Sequence, residues 1–314
     1  MFTISFSPSQ PFVSVVIPHQ GDDEPLSRCL EGLRQQTYPK DRYEVIIVVS
    51  EPEQRNLACE LCDNEKTVWE PNFFSYNARN SGIEASQGDV IALTDSDTTP
   101  SPGWLANGVQ AMNESGADLL AGHIEVTTST RWLTNPALYE LMFAFDQSKN
   151  VTGGFSTTAN LFARREAFTK FGLFQETART GEDFDWTRAA VGAGARLVYT
   201  PTAIVDHPAR ESWRALLAKA RRTTLPFVGA AQANPEVSER LKTRLQFQLA
   251  TAPSPEKLAL LTPTQRFRAR GVRVVLIAYK VLCLLRIAPQ FRKDLQGSQE
   301  FQPGKIPSAQ GASA

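Results

Sequence analysis

The first third of the chain alternates between strand-like and helix-like segments, and this alternation constrains the possible folds most strongly. Segments 13–17, 43–49 and 90–93 are apolar and contain β-branched residues, as buried strands do. Segments between them, such as 25–36, repeat their apolar residues at helical spacing. Strands that recur about every 25 residues with helices between them are typical of βαβ units. The sequence therefore predicts an α/β fold with a mainly parallel central sheet flanked by helices.

Two carboxylates follow the strand at 90–93, in the sequence Thr-Asp95-Ser-Asp97. Side chains two residues apart on an extended segment point the same way, so Asp95 and Asp97 can converge beyond the carboxyl end of the strand. Ligands of open parallel sheets bind at that edge. Paired carboxylates suit Mg²⁺ or Mn²⁺, which bridge protein carboxylates to substrate phosphates. Such a short motif is also compatible with a local role, in which Asp95 caps the following turn.

The net charge is zero, but it is unevenly distributed along the chain. Residues 1–205 contain 15 Lys and Arg against 26 Asp and Glu, whereas residues 206–296 contain 17 against 6. A basic segment of this kind suggests an anionic contact: membrane lipid headgroups, a phosphorylated acceptor or the acidic part of the same chain. The four cysteines form no recognisable disulfide framework, so we expect a reducing compartment and a cytoplasmic location.

A group of motifs occurs in a characteristic order along the chain. The motifs are Val13–Pro18, Asn77–Ile83, Gly88–Asp97, Pro102–Leu105, Gly181–Trp186 and Pro201–His207. Together they resemble the family 2 glycosyltransferases over residues 11–210. The resemblance implies the GT-A nucleotide-diphospho-sugar transferase fold. It also implies a hexosyltransferase-like enzyme of polysaccharide or glycolipid biosynthesis, which moves a sugar from a nucleotide-diphosphate donor to an acceptor hydroxyl with inversion and with help from a metal ion.

Catalytic and metal-binding roles follow from the resemblance. In the family the last aspartate of the Asp-x-Asp motif touches Mn²⁺ or Mg²⁺ and the first leans toward the ribose. This assigns Asp97 and Asp95 to these roles, with His207 as a third metal ligand. An inverting displacement also needs a base for the proton of the attacking hydroxyl, and the family's Glu-Asp motif, here Glu182-Asp183, makes Asp183 that base. From the residues alone, a lone histidine after a strand, such as His207, is more often a packed or surface residue than a ligand. The two acids Glu182 and Asp183 likewise favour a helix N-terminus.

The resemblance also divides other residues between the donor and the acceptor. The donor side comprises Pro18, His19, Glu51, Arg79, Asn80, Asp95 and Ser96, and the acceptor side comprises Gly153, Gly154 and Trp186. Arg79 would pair with a diphosphate oxygen or form a surface salt bridge, and Trp186 would line an acceptor face or belong to the core. In the family the second strand commonly ends in an aspartate that reads the nucleobase. Here the strand ends Val-Val-Ser-Glu, and Glu51 would take the place of that aspartate. The identity of the nucleobase is therefore not determined by the sequence, and a UDP-sugar is the favoured donor.

Composition and the resemblance together divide the chain into four parts. We expect an N-terminal tail at 1–10, a catalytic domain at 11–210, a basic helical region at 211–296 and a disordered tail at 297–314. Residues 266–293 combine Arg and Lys with apolar residues at helical spacing. Such a helix can lie on an anionic membrane surface, here the inner face, or pack on the catalytic domain with its charges in solvent. We expect a glycan or lipid-linked acceptor and no nucleic-acid partner.

Two other functions are compatible with parts of the sequence. The run Asp95-Ser-Asp-Thr-Thr also fits the Asp-x-Asp-x-Thr loop of haloacid-dehalogenase-like phosphatases, in which Asp95 would be a nucleophile. That loop normally follows the first strand of its domain, whereas at least three strands are predicted before Asp95 here. A non-catalytic sugar-nucleotide-binding module is the third candidate, although no residue of the presumed catalytic set is missing.

Overall fold

The computed structural model describes residues 10–49, 57, 60–71, 74–176, 180–233 and 252–297. The predicted tails at 1–10 and 297–314 fall outside these ranges except for one residue each, and Glu51 lies outside them as well. The chain separates into two compact units. The first comprises Met1–Leu216 with Ala252–Arg273, and the second comprises Leu217–Thr251 with Val274–Ala314. Residues 252–273, which composition places in the basic helical region, therefore belong to the unit that contains the sheet.

A mixed eight-stranded sheet forms the centre of the first unit. The strands are β1 (Val13–His19), β2 (Tyr43–Val49), β3 (Glu65–Trp69), β4 (Val90–Thr94), β5 (Thr99–Pro100), β6 (Leu119–Thr127), β7 (Asn160–Arg164) and β8 (Leu197–Pro208). Their order across the sheet is β3-β2-β1-β4-β7-β6-β8-β5. The neighbours from β3 to β4 run parallel, and so do β6 and β8. In contrast, β7 runs antiparallel to β4 and β6, and β5 runs antiparallel to β8.

Helices flank this sheet and continue beyond it. They are α1 (Asp23–Arg34), α2 (Ser75–Glu84), α3 (Trp104–Ser115), α4 (Asn135–Phe143), α5 (Gln147–Thr152), α6 (Arg165–Phe171), α7 (Glu182–Gly192), α8 (Trp213–Ala233), α9 (Pro255–Ala259) and α10 (Pro263–Gly297). Within the described ranges, no helix has both the length and the apolar character that a membrane span requires. The predicted fold class, an α/β sheet with flanking helices and a C-terminal helical extension, is confirmed.

The central strands are largely apolar because helices cover both faces of the sheet. Every residue of β2 and β4 is buried. Alternate residues of β1 enter different cores: Val13, Val15 and Ile17 pack in the core that includes α1 and α3, and Val16 packs with α2, α6 and α7. The polar side chains of the candidate site lie at the carboxyl ends of the strands, whereas Ser14 donates a hydrogen bond to Glu44 near the amino ends of β1 and β2.

The helix α2 approaches β1 very closely. Gly82 is the point of contact, since a Cβ at this position would lie 2.4 Å from Val16 Cγ1 and 3.0 Å from Val48 Cγ2. A contact of 2.4 Å is sterically excluded, so α2 reaches this position only because residue 82 is glycine. The helix therefore has a fixed place against β1. Its side chain Arg79 extends toward Asp95, just after β4, and Tyr76 extends toward the first turn of α7.

Candidate active site

The turn after β4 presents the two acidic side chains predicted from the sequence. Thr98 holds this turn, because its backbone N–H and its hydroxyl both donate to the carbonyl oxygen of Asp95, at 3.2 and 2.8 Å. The same hydroxyl lies 2.7 Å from that of Thr94, at the end of β4. The carboxylates of Asp95 and Asp97 are 31% and 42% exposed. The two acids are thus fixed by the turn and still accessible to a ligand.

The pairing of the short strand β5 with β8 brings His207 next to Asp97. The strand β5 begins two residues after Asp97, and Thr99 pairs with Asp206 on β8, so that Asp97 and His207 become neighbours. Ligand atoms of Asp95, Asp97 and His207 all lie within 4.8 Å of one another, and His207 Nε2 is 3.7 Å from Asp97 Oδ1. The imidazole is buried, in contrast to the two half-exposed acids.

The tautomer of His207 follows from its second ring nitrogen. Nδ1 lies 3.0 Å from the carbonyl oxygen of Pro208, and a carbonyl oxygen only accepts hydrogen bonds. In the neutral imidazole, Nδ1 therefore carries the proton and the lone pair is on Nε2, the nitrogen next to Asp97. Two carboxylates and one imidazole nitrogen match the ligand preferences of Mn²⁺ and, less closely, of Mg²⁺. These three side chains fit a divalent cation by chemistry and by spacing.

Arg79 is a buried cation at this site. Its Nη2 lies 2.5 Å from Asp95 Oδ1, its side chain is only 5% exposed, and its guanidinium carbon lies 5.4 Å from the centre of the Tyr76 ring. Its Nε has no hydrogen-bond partner among the described residues. A surface salt bridge, the plainer alternative from the sequence, is excluded by this burial. The guanidinium instead forms one wall of the site beside Asp95.

Asp183 is joined to the same site through Tyr76. It lies in the first turn of α7, and its Oδ1 accepts hydrogen bonds from the Tyr76 hydroxyl, at 3.2 Å, and from the backbone N–H of Phe184, at 3.0 Å. Burial, with a further contribution from the negative charge of Asp183, raises the pKa of Tyr76 far above its usual value, so the hydroxyl keeps its proton and donates it. Because Tyr76 and Arg79 share α2, one helix contacts both Asp95 and Asp183.

The residues predicted to bind the donor lie in different environments. Pro18 and His19 end β1 at the carboxyl edge, and His19 is buried with its Nε2 2.9 Å from Asp23 Oδ1. The other ring nitrogen of His19, Nδ1, has no partner among the described residues. Ser96 is half-buried in the turn after β4, and Glu51 lies outside the described residues.

Asn80 and Trp186 are both buried and make structural contacts, and for Trp186 this is the core position that the sequence left open. The side chain of Asn80 is buried, donates to the carbonyl oxygen of Phe174 at 2.8 Å and accepts from its N–H at 3.1 Å. Trp186 is buried in the core, stacks on Phe168 at 5.0 Å and donates its ring N–H to the carbonyl of Gly172. Each side chain directs its polar atoms at the backbone of 172–174.

Glu182 has a structural contact of its own. Its side chain is buried, and Oε1 accepts from the backbone N–H of Gln175 at 2.9 Å. This hydrogen bond connects the start of α7 to the segment that follows α6. The predicted catalytic pair is therefore asymmetric: Glu182 contacts backbone, and Asp183 contacts the side chains of α2.

The two glycines predicted for the acceptor lie against the far end of α7. Arg188 Nη1 is 3.4 Å from the carbonyl oxygen of Gly153, and the atom nearest to a Cβ at Gly154 would be Val191 Cγ1, at 3.7 Å. Val191 lies eight residues after Asp183, which is about 12 Å along a helix. The next residue, Phe155, packs its ring 4.4 Å from that of Phe184, so the segment that contains the glycine pair lies along α7.

Sequence analysis does not identify two aromatic residues of the site. Tyr76 has a weak signal, because it lies three residues before Arg79 and so on the same side of α2. Phe145 has no such signal. Its ring lies 4.3 Å from that of His207, although the two residues are far apart in the sequence. Both contacts depend on tertiary structure.

Comparison with known proteins identifies similar sequences. The family model described as Glycosyl transferase family 2 matches residues 14–172, about half of the chain. A protein named Glycosyltransferase AglE from Haloferax volcanii is 33% identical over 247 residues, which cover 76% of this chain and 79% of that protein. The Pre-mycofactocin glycosyltransferase of Mycobacterium tuberculosis is 30% identical over 225 residues, which cover 68% of this chain. This chain spans less than half, 46%, of the length of the mycobacterial protein.

A solved structure has a similar fold. It is the mannosyltransferase PcManGT from Pyrobaculum calidifontis in complex with GDP-Man and Mn²⁺. The TM-score is 0.52 at 17% sequence identity, over 93% of this chain and 80% of the other. At that level of identity the likeness concerns the arrangement of strands and helices, and it agrees with the predicted GT-A architecture.

Proposed function

The chain belongs to glycosyl transferase family 2 and is a glycosyltransferase, and from this premise we propose that it transfers a sugar from a nucleotide diphosphate to an acceptor hydroxyl with inversion. One observation supports this proposal most. The cluster of Asp95, Asp97 and His207 at the end of β4 is connected through two side chains of one helix, Arg79 and Tyr76, to a carboxylate on α7. A sugar transferase needs these two kinds of group at one site.

The donor side of the site is the acidic cluster after β4. Asp97, Asp95 and His207 would hold Mn²⁺ or Mg²⁺, which would supply positive charge to the leaving diphosphate as the glycosidic bond breaks. Arg79 holds Asp95 by its Nη2 and has five N–H donors in all, so it can engage a diphosphate oxygen at the same time. This proposal is supported by the burial of Arg79, since a buried guanidinium interacts more strongly with an anion than an exposed one.

The acceptor side of the site is the start of α7. Asp183 would take the proton of the acceptor hydroxyl as that oxygen attacks the anomeric carbon. A base requires an ionised carboxylate, and hydrogen bonds from Tyr76 and from the Phe184 N–H stabilise the charged form. The first turn of α7 adds a favourable helix dipole. Glu182 would contribute by holding the start of this helix through Gln175.

The identity of donor and acceptor belongs to the proposal as well. A UDP-sugar is the first donor to test, and GDP-sugars come next because PcManGT is in complex with GDP-Man. Pro18 and His19, at the end of β1, would contact the nucleotide. We propose a glycan or lipid-linked acceptor on the cytoplasmic side, reached by membrane contact of residues 266–293. Support for that contact comes from Phe267, which is 76% exposed on α10 beside basic residues.

The phosphatase alternative is not retained. Membership of the glycosyltransferase family argues against it, and so does the ion pair of Arg79 with Asp95, because a nucleophilic aspartate needs an oxygen directed at its substrate. The non-catalytic alternative is likewise set aside, since the relatives named above are glycosyltransferases.

A thermal-shift screen tests the proposed donor site. The protein is heated with UDP, GDP and other nucleoside diphosphates, each with and without Mn²⁺, beside the Asp97→Asn variant. A ligand that binds only the folded protein raises its melting temperature. We expect at least one diphosphate to raise it when Mn²⁺ is present, and no rise in Asp97→Asn. If no diphosphate stabilises the protein in either condition, the donor and metal assignments are wrong.

A further inference from the structure

Phe145 has an unusual backbone conformation next to the candidate metal site. Its φ is 54°, the left-handed region that bulky residues rarely adopt, and no other non-glycine residue among those described has a positive φ. It lies in the connection between α4 and α5. Its ring lies 4.3 Å from the His207 ring, at an interplanar angle of 35°. A conformation of this kind persists only when the surrounding structure determines it.

The residues on either side of Phe145 are both held by one segment of the C-terminal part of the chain. Before it, the carbonyl oxygen of Ala144 accepts a hydrogen bond from Lys257 Nζ. After it, Asp146 Oδ2 accepts from the backbone N–H of Ser254, at 3.1 Å. The segment 254–257 thus contacts the chain immediately before and immediately after the strained residue. These contacts hold the two neighbours of Phe145, and the backbone N–H of Gln147 donates to the carbonyl oxygen of Phe145 itself, at 3.1 Å.

The segment is itself anchored to α4. Ser254 caps α9, with its hydroxyl 3.4 Å from the N–H of Lys257. Just beyond α9, Leu261 packs in a small core with Leu138 and Met142 of α4. Lys257 is buried, and burial lowers the pKa of its amine although neighbouring carboxylates oppose the shift. A cation is not buried without a specific contact, which supports the importance of its hydrogen bond to Ala144.

We propose that Phe145, held by segment 254–257, positions His207 as a metal ligand. The inference rests on the proposed metal site. The carbonyl of Pro208 fixes the tautomer of His207 through Nδ1, and the ring of Phe145 restricts the rotation of the imidazole. Together they keep Nε2 beside Asp97. A ligand that is already oriented loses less freedom when the metal binds, so its supporting residues contribute to affinity.

Binding of Mn²⁺ alone tests this role, measured by the EPR signal of the free ion as the protein is titrated. Phe145→Leu keeps an apolar side chain but removes the flat ring. We expect it to bind Mn²⁺ about tenfold more weakly, as is typical when a residue that supports a metal ligand is changed. Phe171→Leu is the matched control, because it removes a half-buried ring at the end of α6 that packs against the other core, the one that contains Val16 and Trp186. It should bind Mn²⁺ like the unchanged protein.

Lys257→Met tests the connection to the C-terminal segment. It keeps the length of the side chain and removes the donor to Ala144, so we expect weaker Mn²⁺ binding in the same direction. In the double variant, Lys257→Met should add little to the effect of Phe145→Leu, because both act through the same ring. Circular dichroism and the melting temperature show whether each variant is folded. Full additivity of the two changes would mean that segment 254–257 does not act through Phe145.

These measurements distinguish a failure of the positioning role of Phe145 from a failure of the proposed metal site. In the first case, the unchanged protein binds Mn²⁺, the Asp97→Asn variant does not, and a folded Phe145→Leu variant binds it as tightly as the unchanged protein. The positioning role of Phe145 is then disproved, and the metal site stands. If the unchanged protein binds no Mn²⁺, or Asp97→Asn binds it equally well, the metal site itself is wrong, and the positioning role is wrong with it.

Discussion

At the scale of single residues, hydrogen bonds from two donors stabilise the ionised form of the Asp183 carboxylate. The Tyr76 hydroxyl and the Phe184 N–H both bind Oδ1. Charged groups near it include Arg79, whose guanidinium lies 5.4 Å from the centre of the Tyr76 ring, and the acids Glu182 and Asp185 in the same first turn of α7. The donors favour the ionised form, and the acids disfavour it. Removal of one donor should therefore change the pH at which this carboxylate is protonated.

Tyr76→Phe should shift the acid limb of the pH profile of kcat/KM upward. Without the hydroxyl, the carboxylate is less stabilised and takes up a proton at a higher pH, so activity at neutral pH changes little and activity at acid pH falls. Tyr139→Phe, on α4, is the matched control and should leave the profile unchanged. An unshifted acid limb in a folded Tyr76→Phe variant would contradict this role.

Asn80→Ala should affect stability and not donor binding. It removes two buried hydrogen bonds to the backbone of Phe174, so the free energy of unfolding should fall by about 2 kcal/mol. Urea unfolding measures this loss. The Mn²⁺-dependent affinity for the nucleoside diphosphate, measured on the folded variant, should be unchanged. A selective loss of that affinity with unchanged stability would restore the donor-binding role that the resemblance implies.

The sequence predicts the position of a site residue when that position depends on local geometry or on a family motif, and not when it depends on distant contacts. Asp95 and Asp97 are two residues apart on an extended segment, so their convergence follows from local geometry. The family motif adds His207. Asn80 and Trp186 also belong to family motifs, but their partners in 172–174 lie far away in the sequence. Local pattern says nothing of such partners, and the same limit explains why Phe145 cannot be found from the sequence.

At the scale of elements, the strands next to the site are predictable and β8 is only partly so. The sequence predicts a strand at 196–199 that ends before Pro201, whereas β8 extends to Pro208. The register of the pairing between β6 and β8 shifts at one point: Gly122 pairs with Thr200, but the next residue, His123, pairs with Ile204. Pro201 lies in this irregularity, where its missing N–H breaks no ladder hydrogen bond. The extension matters because it contains His207.

Gly82→Ala tests the close packing of α2 on β1. The new Cβ would lie 2.4 Å from Val16 Cγ1, so the helix must shift, and we expect the free energy of unfolding to fall by about 1–3 kcal/mol. Because α2 contributes Tyr76 and Arg79, nucleotide binding should weaken as well. Gly192→Ala at the end of α7 is the control, since no atom lies within 4 Å of its Cβ position. Equal stability of both variants would show that α2 is not held by this contact.

At the scale of the whole molecule, the charge pattern and the contacts divide the chain differently. Composition places a boundary near residue 210, where the basic segment begins. Contacts assign Ala252–Arg273 to the same unit as the sheet. The reason is tertiary: hydrogen bonds from Ser254 and Lys257 reach the connection between α4 and α5. Composition alone cannot reveal such contacts.

The proposed membrane contact is testable on the whole protein. We expect it to co-sediment with vesicles that contain anionic lipid and to be released by salt, because the attraction is electrostatic. The double change of Phe267→Ser and Arg270→Gln, both exposed on α10, should reduce binding. Arg28→Gln on α1 removes an exposed arginine elsewhere and serves as the control. Binding that is equal for neutral and anionic vesicles, or unchanged in the double variant, would contradict this contact.

The central claim is that the acidic cluster after β4 and Asp183 form one sugar-transfer site with separate tasks. The most direct measurement compares Asp183→Asn and Asp97→Asn in two assays, sugar transfer from the donor and Mn²⁺-dependent binding of its nucleoside diphosphate. Loss of a general base should lower turnover by at least about a hundredfold in Asp183→Asn, while binding is retained. Asp97→Asn should lose both. Full turnover in a folded Asp183→Asn variant would contradict the account.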